Sequence, residues 1–152
     1  MTLNLVLNSQ DSIWYASGNA KFKVHWAQFL DDPDATYKVS FSFVTDTDNT
    51  LDQSDLYTFN LDNIATLKNI SGGEYNSGTS KAIGFIYPTK HPSSSAHARL
   101  MAEANTNPQV DLIGRPNEDI LSISFRDLSG TLLQKTPQFV CFIRFEKKSC
   151  LC

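Results

Sequence analysis

The sequence predicts an all-β domain, a sandwich or barrel of eight or nine short strands, and three observations carry that expectation. Bulky apolar residues recur at every second position in most segments, which is the spacing of a strand with one buried face. Clusters of Asp, Asn, Gly, Pro and Ser separate those runs and read as turns. Glutamate is scarce, with four residues, while serine, threonine, asparagine and aspartate are abundant, and that balance favours strands and turns over helices. A parallel sheet would need crossovers of about a dozen residues or more, usually helical. No segment supplies one.

The elements follow in order. Leu3, Leu5 and Leu7 alternate with Thr2, Asn4 and Val6. A turn-like stretch, 9–19, contains Trp14-Tyr15 and leads to a second run in which Phe22, Val24 and Trp26 alternate with Lys21, Lys23 and His25. After the turn Asp31-Asp32-Pro33-Asp34, Tyr37, Val39, Phe41 and Phe43 share one side. A polar loop, 45–55, precedes Tyr57, Phe59 and Leu61, and a Gly-rich loop, 69–79, precedes a strand expected to place Ile83, Phe85 and Tyr87 together before Pro88 ends it. Residues 96–104 are rich in helix formers, yet Ala98, Leu100, Ala102 and Ala104 alternate at period two, so a strand is expected. A short strand over 109–114 follows. Leu121, Ile123 and Phe125 then point inward, Asp127-Leu128-Ser129-Gly130 makes a hairpin turn leading into a strand over 131–134, and Phe139, Cys141, Ile143 and Phe145 share the last face.

The 152 residues suit one domain, 1–152, with 147–152 expected to be a flexible tail. A chain of this length buries roughly 70% of the surface its unfolded form exposes. Ten Phe, five Tyr and two Trp supply the apolar payload, so no disulfide framework is needed. Three cysteines, Cys141 in an alternating run and Cys150 and Cys152 near the C-terminus, make an odd count that points to a reduced, intracellular chain. Cys150 and Cys152 are also suited to a disulfide with a neighbouring chain.

Several function classes lack the residues they need. The net charge is −3 and the thirteen Lys and Arg form no stripe, so nucleic acid is not an expected partner. No apolar run approaches the roughly 20 residues of a membrane span, and the N-terminus lacks the basic start of a signal peptide. Asp46-x-Asp48-x-Thr50-x-Asp52 has the oxygen spacing of a calcium loop, but Leu51 stands where that loop needs Gly and Tyr57 where it needs Glu. A solvated loop is the simpler reading. His25, His91 and His97 include no His-x-His pair of the kind a cupin metal site uses, so no metal or other cofactor is expected. There is no Gly-x-Ser-x-Gly elbow, and a buried Cys141 would be inert, so no catalytic residues and no enzyme activity are expected. Trp14-Tyr15 is suited to stacking on a sugar or to packing on the sandwich end. Asn69-Ile70-Ser71 matches a glycosylation sequon, which without a secretory signal is a chance match.

The C-terminal half carries a resemblance. The runs Ala96-His97-Ala98-Arg99-Leu100, Asn107-Pro108-Gln109-Val110-Asp111-Leu112, 120–130 ending in Asp127-Leu128-Ser129-Gly130, and Phe139-Val140-Cys141-Phe142-Ile143-Arg144-Phe145-Glu146 resemble the single jelly-roll minor capsid proteins of large icosahedral double-stranded DNA viruses. The resemblance covers about half the chain; the first half is similar in strand spacing only. It implies a single jelly-roll β-sandwich of about eight antiparallel strands, made in the host cytoplasm and residing in the virion capsid. There it would act as cement between major capsid protein units and other minor capsid proteins, or between copies of itself. The alternative is a ligand-binding β-sandwich, lectin-like or an attachment module, using Trp14-Tyr15 and the loop from Asp46 to Asp52.

Overall fold

The computed structural model describes residues 2–16, 18–45, 56–64, 67–68, 70–71, 78–79, 81–89, 100–103, 109–133 and 138–148. In chain order they form β1 (Thr2–Asn8), a 3₁₀ turn (Ser9–Asp11), β2 (Trp14–Ala16), β3 (Asn19–Lys23), a single helical turn α1 (Trp26–Phe29), β4 (Thr36–Thr45) and β5 (Tyr57–Leu61). There follow β6 (Leu67–Lys68), β7 (Ile70–Ser71), β8 (Gly78–Thr79), β9 (Ala82–Pro88), β10 (Leu100–Ala102), β11 (Val110–Ile113), β12 (Ile120–Asp127) and β13 (Phe139–Lys147). The chain is all-β and antiparallel, as the alternation predicts.

The strands make one continuous path, β1-β13-β4-β10-β9-β5-β12-β3-β2, with β11 joining β4 and β6, while β7 pairs β8 separately. The pairings nest. The first strand lies against the last, β3 against β12, β4 against β10 and β11, and β5 against β9. The path folds over on itself, so the layer of β1, β13 and β4 faces the layer of β3, β12 and β5. Aromatic rings fill the space between them. Phe41 stacks on Phe59 with centroids 4.6 Å apart, Phe43 meets Phe125 at 5.2 Å, and Phe139 meets Phe125 at 5.4 Å, each pair taking one ring from each layer. Such pairs contribute about 0.5–1.5 kcal/mol each beyond the area they bury.

The expected inward residues of β4, β5, β12 and β13 are all buried. Elsewhere the structure departs from expectation for local reasons. Among the described residues thirteen strands replace the eight or nine expected, because β2, β7 and β8 are two- or three-residue ladders inside stretches expected to be loops and β6 adds a two-residue ladder before the second loop, while the strand expected over 131–134 is reduced to a bridge between Leu132 and Arg126. Trp14 and Tyr15 therefore lie on a strand, β2, paired with β3. The connection between those strands needs Gly18: its φ is +73°, and a Cβ there would sit 2.9 Å from the Leu133 carbonyl oxygen. The second run stops as a strand at Lys23, and Trp26 opens the helical turn, which carries its ring beneath Phe145 at 5.9 Å.

On β9 the expected face holds at Ile83 and fails at Phe85. Phe59 pairs with Gly84 but Asn60 with Ala82, so a bulge inserts Ile83 as an extra residue. Ile83 and Ile86 are buried as a result, and Phe85 turns outward. The final strand also runs further than expected. Lys147 ends β13 and pairs with Asp32 at 3.1 Å, and the Lys148 N–H donates to the Thr36 carbonyl. Residues 147 and 148 are therefore held by the fold, contrary to the expected flexible tail from 147; 149–152 lie outside the described residues. No helix among the described residues is long and apolar enough to cross a membrane.

Candidate interaction face

Residues between the buried positions of β1, β13 and β4 point away from the core, and the strand register sorts them into rows. Thr2, Glu146 and Lys38 form the first row, and Asn4, Arg144 and Ser40 the second. Val6, Phe142 and Ser42 form the third, and Asn8, Val140 and Val44 the fourth, which Met101 of β10 extends. Charge is thus confined to one end of the face and apolar side chains gather at the other. Val6 is 54% exposed, Phe142 48% and Val44 42%, with Phe142 at the centre of the group. Covering the exposed half of each would contribute on the order of 1 kcal/mol apiece. Contiguous apolar surface rimmed by polar residues marks a contact site far more than the same residues scattered singly.

Beside this group lies an open groove of about 350 Å³, lined by the amides of Asn8, Gln10 and Gln138 together with Val44, Thr45, Phe139 and Val140. Its shape is held from below. The Asn8 side chain accepts from the Gln10 N–H at 3.0 Å and so caps the 3₁₀ turn. Ser9, buried in that turn, donates its hydroxyl to Gln138 Oε1 and accepts from the Phe139 N–H at 3.0 Å. Thr45 Oγ1 accepts from the Leu100 N–H at 2.8 Å and fixes β10 to β4. Among the described residues no charged side chain lines the groove, and the amides and Thr45 there suit neutral hydrogen-bonding groups such as a peptide backbone.

The residues singled out in the sequence do not converge on a second site. The Lys21 ammonium lies over the Trp14 ring, 5.4 Å from its centroid, and occupies a face that a sugar would use. Tyr15 packs inward on Phe139 at 6.3 Å, and burial pushes its phenol up to about 12. His25 is exposed, with Nδ1 3.6 Å from an Asp119 carboxylate oxygen. Cys141 is fully buried between β1 and β4, and desolvation raises its thiol pKa. Among the described residues no group of three His, Cys, Asp or Glu side chains is placed to hold a metal ion. The segment from Asp46 to Asp52, Asn69, His91, His97, Cys150 and Cys152 lie outside the described residues.

The apolar outer face itself escaped the sequence reading. Alternation assigns each strand an inner and an outer side, and it marks Val6 merely as the outward partner of the leucines. The signal lies in pairing: Val6, Val44, Val140 and Phe142 are ordinary singly and form a surface only once β1, β13 and β4 are neighbours. No protein-family model matches the chain, and no curated protein matches it in sequence.

Proposed function

We propose that this chain is a structural assembly protein with a single jelly-roll fold, a minor capsid or cement protein that packs against major capsid units and neighbouring minor capsid proteins of a viral shell. The nested pairing of first strand with last supports the fold part of that reading: it is the order expected of two Greek keys wound as one long hairpin. Eight of the strands, with β10 and β11 counted as one, follow it. The observation that carries the function is the uncharged end of the outer face, centred on Phe142, with its amide-lined groove. Cement needs a broad dry surface for a neighbour, and an interface core is depleted in charge and enriched in aromatic residues.

The competing reading, a lectin-like module, would need Trp14 free for stacking, and Lys21 already occupies one face of that ring. The test is compositional. Purified virions of the source virus should contain this polypeptide at a fixed copy number relative to the major shell protein and retain it through salt washes, because the two rows around Phe142 carry no charge for salt to screen. Its absence from such particles, or binding to glycans abolished by calcium chelation, would contradict the proposal.

A further inference from the structure

The sheet path ends at β1, and this edge differs from the one at the other end. β2 closes the path with three residues, and shortness is itself a protection against pairing with another chain. β1 runs for seven residues, and among the described residues it pairs with β13 alone. Its sequence, Thr2-Leu3-Asn4-Leu5-Val6-Leu7-Asn8, holds no charge, no Pro and no Gly, which are the devices that usually blunt an edge. The row of backbone N–H and C=O groups that β1 turns away from β13 is a template for one more strand.

We infer that the edge of β1 pairs with β1 of a second copy, antiparallel about a two-fold axis through Leu5. Three features select a copy of this chain as the occupant. In this register Leu3 lies opposite Leu7 of the partner copy and Leu5 opposite Leu5, so the alternation continues and the leucines stay on the core side. Leu3 and Leu5 are only partly buried at the sandwich margin, and the partner's leucines would cover them. Asn4 lies opposite Val6, and Thr2 opposite Asn8, so no like charges meet. A seam between two seven-residue edges is smaller than the roughly 1,000 Å² of a stable interface. The dimer is therefore weak in dilute solution and is favoured where copies are held close together.

This deepens the assembly reading and rests on it only for its purpose; the test uses free protein, so either can fail without the other. Sedimentation equilibrium should show the mass rising from 17.0 kDa toward twice that value as concentration approaches about 1 mM. Replacing Asn4→Lys together with Val6→Lys, both exposed, sets ammonium against ammonium and should hold the chain monomeric. Asn4→Lys with Val6→Glu sets opposite charges across the axis and should restore the dimer. As a check needing no variant, the wild-type β1 amides that face away from β13 should gain protection from exchange as concentration rises. A wild-type chain monomeric throughout would overturn the inference, as would a dimer that survives the double lysine change. Phe142→Lys should leave this dimer intact; dissociation by that change alone would place the contact on the outer face and sink the edge pairing.

Discussion

The two outer faces of the molecule are built by the same alternation but dispose of their side chains differently. On the face of β3, β12 and β5, polar groups satisfy one another. Asn60 Nδ2 donates to the Ser124 carbonyl at 3.4 Å and to Thr58 Oγ1 at 3.1 Å, while the Ser124 hydroxyl donates to Asp62 at 2.9 Å. Its apolar residues stand apart: Ile120 pairs across from Lys23, and Phe85 on β9 lies across from Thr58. On the face of β1, β13 and β4 the apolar residues are neighbours and no charged residue lies in their two rows. One face is finished by its own hydrogen bonds, and the other is left with dry surface. A solvent-facing sheet needs only the first arrangement, so the second points to a partner.

The largest effect that would break this contrast is at its centre. Phe142→Lys should weaken incorporation into particles by about 2 kcal/mol or more, roughly thirty-fold, as central aromatic anchors do. Its thermal stability should change by no more than about 0.5 kcal/mol, since the ring is half in solvent. Lys21→Glu on the opposite face should leave incorporation unchanged; equal losses from both, measured by quantifying the chain in purified particles, would erase the distinction.

The second prediction inverts the first. Ser124→Ala removes a fully buried hydroxyl from the finished face and should cost about 1–2 kcal/mol of folding stability in denaturant titration. Particle incorporation should not change. A stability loss too small to measure would mean that the bond from Ser124 to Asp62 does not help finish that face.

The smallest effect concerns acid. Hydrogen bonds, the Ser129 hydroxyl first and then the backbone N–H groups of the turn, hold Asp127 below its ordinary 3.8. The Asp34 N–H and then Lys147 do the same for Asp32. Because both carboxyls titrate lower in the folded chain than in the unfolded one, their stabilisation is present above about pH 4 and is lost as pH falls through the folded values. The melting temperature should be flat from about pH 5 to pH 8 as far as these groups are concerned and fall below about pH 4. Incorporation through the uncharged rows should not follow that titration.

Much of the fold is legible from side-chain spacing. Phe139, Cys141, Ile143 and Phe145 announce their strand and its inner side, as do Leu121, Ile123 and Phe125, because a one-residue slip would expose every one of them. Leu100 and Ala102 likewise give β10 away despite helix-forming neighbours. Phe85 is not legible from alternation, since a bulge at Ile83 reverses the phase; its one mark in the sequence is the neighbouring Gly84 inside the strand. Trp14 and Tyr15 are hidden for another reason: β2 is too short for a period to register. The apolar outer face is the least legible feature, because it arises from long-range pairing between β1 and β13, whose partners lie at opposite ends of the chain.

The most direct measurement is side-chain oxidative footprinting of the free protein against the protein assembled in particles. Val6, Val44, Met101 and Phe142 should lose reactivity on assembly, while Trp14 and Phe85 keep theirs. Unchanged labelling at Phe142 in the assembled state, or protection that falls only on the opposite face, would contradict the account.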